Sequence, residues 1–103
     1  MAVIMTFRVS GDPDKLEQVA AENQDLARGI AERAKEHGLI AHRFYGSESQ
    51  IMVVDEWPDP ESFQRFFEQE RSVIEPLLAQ VSTGEPEITF WRKLETYDEV
   101  GWD

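Results

Sequence analysis

The chain contains no cysteine. That excludes disulfides, thiolate metal sites and a cysteine nucleophile, and it fits a cytoplasmic protein. Histidine is nearly absent too: His37 and His42 have no carboxylates at ligand spacing, so there is no metal motif. Basic residues are few, with 10 Lys and Arg against 21 Asp and Glu and a net charge of −11. Such a field repels phosphate backbones and anionic headgroups, so neither nucleic acid nor a membrane surface is an expected partner. No apolar run approaches the roughly 20 residues of a membrane span. The opening MAVIMTFRV is too short, and lacks the leading charge, for a signal peptide. The chain has no Gly-rich phosphate loop, no GxSxG and no GxGxxG, so nucleotide and hydrolase readings have no support.

What is present is a globular composition, 41% hydrophobic over 103 residues, which suits one domain (1–103) with a modest core. Ala2–Val9 alternates as a strand, with Val3, Met5, Phe7 and Val9 on one side and Ala2, Ile4, Thr6 and Arg8 on the other. Asp12 and Pro13 read as an N-cap and first helical residue. Apolar residues at helical spacing then predict one helix from Pro13 to Glu36, stopped by Gly38, with Asn23 inside its apolar stripe. Leu39–Tyr45 and Gln50–Trp57 are strands joined by a turn at Gly46–Ser49. Pro58 ends the second of them. Asp59 and Pro60 open a helix whose heavy face is Phe63, Phe66 and Phe67, with Pro76 expected to kink or restart it. Ser82–Pro86 reads as a loop, Glu87–Leu94 as the last strand, and Glu95–Asp103 as an acidic tail.

The order is β-α-β-β-α-β, the ferredoxin-like α+β arrangement, in which helices cover one face of a four-stranded antiparallel sheet. The strands are largely apolar on both sides, so the second face also needs cover. A second copy packed sheet to sheet supplies it, which predicts a homodimer. Arg43 and Tyr45 suit that interface, and Trp102 is a further candidate to reach across it.

The passage Asp55, Glu56, Trp57, Pro58, Asp59, Pro60, Glu61, Ser62, Phe63 resembles the strand-to-helix corner of the dimeric α+β barrel superfamily, and most nearly its antibiotic-biosynthesis-monooxygenase-type domains. The element order extends the resemblance from Ala2 to Leu94; the tail lies outside it. That superfamily includes cofactor-independent oxygenases of polyphenols and quinols, haem degraders, quinol oxidases and members of no known reaction, so fold likeness does not choose among them. Haem degraders of this type use an Asn on strand one, a Trp on helix two and a His further along. Those places fall at Phe7, Phe66 and about Pro76, and proline cannot ligate iron, so no haem and no other cofactor is expected.

His42, between Ile40 and Phe44 on one strand face, is the candidate catalytic base if that face meets the helices. The same position suits a core histidine satisfied by a neighbour. Asn23 is its candidate counterpart, positioning a ligand or simply satisfied within the fold. Phe7, Phe44, Trp57, Phe63, Phe66, Phe67 and Trp91 are candidate ligand-binding aromatics, or core. His37 complements a helix dipole. Asp55 and Glu56 are adjacent in a strand and face opposite ways, so they form no catalytic pair. Glu68 and Glu70 read as solvated helix charges.

Two functions remain open. One is a cofactor-independent monooxygenase-like enzyme of a small aromatic or quinol-type compound. There a substrate carbanion reduces O2 directly and the protein supplies base, dry pocket and orientation. The other is a non-catalytic homodimeric module binding a small ligand or partner. A cavity holding both His42 and Asn23 favours the first. A filled core with His42 bonded to backbone favours the second.

Overall fold

The computed structural model describes residues 2–101. Strand β1 (Val3–Gly11) leads through Asp12 into helix α1 (Pro13–Glu22), and helix α2 (Gln24–Glu36) follows. Strands β2 (Ala41–Gly46) and β3 (Gln50–Trp57) form a hairpin; helix α3 (Pro60–Ala79) and strand β4 (Ser82–Trp91) complete the order. The sheet is antiparallel in the order β2-β3-β1-β4. This is the ferredoxin-like α+β fold expected from the element order, with its first helical segment in two pieces.

Local chemistry sets the element ends. Asp12 Oδ1 accepts from the backbone N–H groups of Asp14 and Lys15 at 3.0 and 3.3 Å, starting α1 beside Pro13. Asp59 Oδ1 does the same for Ser62 at 2.7 Å ahead of α3. Hydrogen bonding from the Ser62 side chain, and then from its backbone N–H, holds the Asp59 carboxyl below its ordinary pKa. Gly38, at φ +103°, follows the C-cap His37, whose Nδ1–H donates to the Arg33 carbonyl at 3.1 Å.

The single helix Pro13–Glu36 is corrected to two. Asn23 leaves helical geometry at φ −133°, ψ 41°, and its Nδ2 donates to the Val19 carbonyl at 2.8 Å. A side-chain amide that bonds the backbone four residues back competes with the helical ladder. The apolar stripe continues across the break, which is why periodicity alone did not show it. At Pro76 the opposite holds: α3 runs through it.

Strand β4 begins at Ser82, five residues before its expected start. Ser82 and Thr83 pair with Gly11 and Ser10, and the register then shifts so that Glu87 pairs with Arg8. The bulge absorbs Gly84, at φ +80°, and Pro86, which has no N–H for the ladder. Strand β2 starts at Ala41 rather than Leu39, although the Ile40 N–H already donates to Glu56 at 2.9 Å.

The core lies between the sheet and the helices. Met5, Phe7, Val9, Ile51, Val53 and Trp57 rise from β1 and β3 to meet Ala34, Phe63, Phe66 and Val81. The pairing register puts Ile4, Met52, Val54, Tyr45 and Trp91 on the other, open face. That face is less apolar than strand alternation implies. An Arg8–Glu87 ion pair of 2.8 Å crosses it, and Arg43 donates to the Tyr45 hydroxyl at 3.2 Å. Residues 92–101 carry exposed Leu94, Tyr97 and Val100, with Lys93 held to Glu99 at 2.8 Å; that bond raises the Lys93 pKa. The suggested reach of Trp102 falls outside the described residues.

Candidate functional site

A cavity of about 200 Å³ opens between the helices and the β2-β3-β1 part of the sheet. Its floor comes from Met5, Phe7 and Val53, its roof from Leu16, Val19 and Ile30, and one end from Phe63, Phe66 and Phe67. Among the described residues, three polar ones line it: Asn23, His42 and Asp55. The helix-facing parity of Ile40, His42 and Phe44 is therefore the one that places His42 at the cavity.

His42 and Asp55 are directly opposed across the β2–β3 ladder. Residues in such cross-strand pairs have touching side chains. Here His42 Nδ1 lies 2.6 Å from Asp55 Oδ1, a bond that takes the His42 ring proton on Nδ1. Asp55 Oδ2 accepts from Trp57 Nε1–H at 3.0 Å. The Trp57 ring is 0% exposed and packs against Phe63 and Phe66 at centroid distances of 5.8 and 5.6 Å. A fixed indole thus holds a buried carboxylate, which in turn fixes the imidazole. With Nδ1–H given to Asp55, the lone pair sits on Nε2, which no described residue bonds. Phe44 meets the imidazole edge-on at 5.3 Å.

Asn23 sits in the helical layer across the cavity. One Nδ2 hydrogen goes to the Val19 carbonyl, and its side chain makes no cap bond to α2. The cavity therefore holds both His42 and Asn23, and the partner of His42 is a carboxylate side chain, not backbone.

Of the seven candidate aromatics, Phe7, Phe44, Phe63, Phe66 and Phe67 line the cavity and two do not. Trp57 lies beneath the wall, clamped to Asp55. Trp91 pairs with Ile4 on the open face, where its Nε1–H donates to Thr6 Oγ1 at 2.8 Å. Asp55 is the residue that sequence reasoning missed. Parity within β3 sets it only opposite to Glu56; the hairpin register is what brings it to the face of His42. Glu70 is also corrected: it is buried at 5% exposure, not solvated, while Glu68 is exposed. Arg33 Nε donates to Glu70 Oε1 at 2.8 Å, tying α2 to α3. That hydrogen bond lowers the Glu70 pKa and raises that of Arg33. Among the described residues, no group of three His, Cys, Asp or Glu side chains could hold a metal ion.

No family model matches the chain, and no curated protein matches it in sequence. Solved structures match its fold. A structure described as an antibiotic biosynthesis monooxygenase superposes with a TM-score of 0.64 at 14% identity, covering 92% of this chain and 100% of the other. SnoaB, a cofactor-independent oxygenase from Streptomyces nogalater, gives a TM-score of 0.62 at 18% identity over 95% and 97% of the two chains. A dimeric ferredoxin-like protein from an uncultured marine organism gives 0.65 at 16% identity over 95% and 92%. At these identities the likeness speaks for fold and not for activity. The chain has the ferredoxin-like α+β fold of the antibiotic-biosynthesis-monooxygenase-type structures.

Proposed function

We propose that the protein is a cofactor-independent oxygenase of small aromatic hydroxyl compounds, with His42 as general base. The observation that carries this is the His42–Asp55 pair on the wall of a largely apolar cavity that Asn23 also lines. Asp55 fixes the tautomer in which Nε2 accepts a proton, and it steadies the imidazolium that forms. The apolar wall replaces part of the water around the resulting anion. Asn23 positions the ring from the helical side. SnoaB, a cofactor-independent oxygenase, has the same fold, so the fold is compatible with this reaction class.

The chemistry balances without a cofactor. With 1-naphthol as probe, His42 takes the hydroxyl proton. The naphtholate passes one electron to O2, and the two radicals join at the ring carbon para to the oxygen. The resulting peroxide anion takes the proton back from the His42 imidazolium. The hydroperoxide then loses that carbon's proton to His42, and its outer oxygen leaves as hydroxide, which that proton turns into water. One naphthol and one O2 give 1,4-naphthoquinone and one water, so no reductant is consumed.

A second copy covers Ile4, Met52, Val54, Tyr45 and Trp91 on the open sheet face, giving a homodimer. The likeness to a dimeric ferredoxin-like protein supports this. The lack of cysteine supports a cytoplasmic location. Among the described residues, no helix is long and apolar enough to cross a membrane.

The test is oxygen uptake with 1-naphthol above the protein-free rate, in wild type and His42→Ala. Uptake that falls to the protein-free rate in the variant supports the base role. Equal turnover in both removes it.

A further inference from the structure

We infer that the cavity selects neutral hydroxylated aromatics of one or two fused rings and rejects carboxylated or phosphorylated analogues of the same size. This builds on the proposed base role of His42, which sets where the hydroxyl lies.

Size comes first. The cavity holds about 200 Å³. An engineered apolar cavity of about 150 Å³ accommodates one benzene ring. Scaled by ring carbons, two fused rings need about 250 Å³ and four about 400 Å³; the cavity's open mouth takes up the small excess of the first, while the second is twice too large. The stacked Phe63 and Phe67 rings, 5.6 Å apart at 22°, and Phe7, 6.4 Å from Phe67, provide flat apolar surface for it.

Charge decides the rest. Among the described residues, no Lys or Arg lines the cavity, while Asp55 does. Arg71 stacks on the Phe67 ring at 5.4 Å but does not join the wall. Helix α2 begins at the cavity, yet its first turn carries Asp25, which offsets the N-terminal dipole. A ligand carboxylate would lose its hydration, find no cation and lie near the Asp55 charge. A neutral hydroxyl instead donates to His42 Nε2, and a second neutral polar substituent can reach Asn23.

Calorimetric titration of the intact protein under argon tests this with four probes. The expected order is 1-naphthol tightest, then 1-methoxynaphthalene about tenfold weaker, because it leaves Nε2 unpaired. 5-Hydroxy-1-naphthoic acid is at least about tenfold weaker than 1-naphthol, and 1-hydroxypyrene, with four rings, does not bind. His42→Ala abolishes the difference between naphthol and its methyl ether. Equal or tighter binding of the naphthoic acid, binding of the pyrene at the naphthol's affinity, or an unchanged naphthol preference in His42→Ala overturns the inference. Argon separates it from the oxygenase reading. Selective binding without oxygen uptake in air removes the oxygenase and leaves the selectivity standing. Oxygen uptake without selectivity does the reverse.

Discussion

Replacing Asp55 by Asn tests how the site is wired, because the two residues are nearly isosteric and only the hydrogen-bonding roles change. Trp57 Nε1–H can only donate, and it reaches Asp55 Oδ2 at 3.0 Å from a fully buried ring. In Asp55→Asn the amide oxygen must therefore turn towards Trp57. The amide NH2 is then left against His42 Nδ1, formerly 2.6 Å from Oδ1. Two donors cannot face each other, so Nδ1 must accept and the ring proton moves to Nε2. His42 then has no lone pair towards the cavity. The expected loss in the rate of 1-naphthol oxidation is about 10²–10⁴-fold, the range for removing an oriented general base. The stability cost is small, about 1 kcal/mol, since a charged acceptor becomes a neutral one while the Trp57 indole and His42 Nδ1 each keep a hydrogen bond. Oxygen-uptake rates give the first figure and urea unfolding the second. Nitrogen NMR of the histidines reports the tautomer. A variant that keeps the wild-type rate, or whose His42 still carries its proton on Nδ1, would refute the reasoning.

Other outcomes follow from packing and charge. Gly11→Ala should destabilise by about 2–4 kcal/mol in urea unfolding, because the new Cβ would lie 2.5 Å from the Val81 carbonyl oxygen, a backbone atom that cannot rotate away. Arg33→Met leaves Glu70 buried without its cation and should lower the urea midpoint at neutral pH. The folded pKa of Glu70 is depressed, chiefly by the Arg33 hydrogen bond, so its contribution is present above the ordinary carboxylate pKa and lost as pH falls through the lower folded value. The gap between wild type and variant should thus close in acid; a gap constant from neutral pH to pH 3 would contradict this. Val54→Arg, on the open sheet face, should turn a dimer into a monomer by light scattering, with the helical circular dichroism unchanged; a dimer surviving it would place the interface elsewhere.

Where local chemistry governs, the fold was legible. Alternation in Val3–Val9 and Gln50–Trp57, and the caps at Asp12–Pro13 and Asp59–Pro60, needed no distant information. The break at Asn23 escaped because hydrophobic periodicity is blind to a side chain that bonds its own backbone while the stripe continues. The early start of β4 escaped because a bulge lets Gly84 and Pro86 interrupt a strand without ending it.

The site shows the same division. His42 and Asn23 stand out in sequence as polar residues on apolar faces, and both line the cavity. Asp55 is thirteen residues from His42, and its partnership depends on the register of the hairpin, which composition does not specify. Glu70 looked solvated because its neutralising Arg33 is 37 residues away on another helix. Trp57 and Trp91 could not be assigned from type alone. One lies under the wall, the other across the sheet, and only the register separates them.

Labelling with 18O2 tests the central claim most directly. Purified protein, 1-naphthol and 18O2 should yield 1,4-naphthoquinone carrying one labelled oxygen, with the other label in water, at a rate that collapses in His42→Ala. Quinone formed no faster than without protein, or formed equally by the variant, would contradict the account.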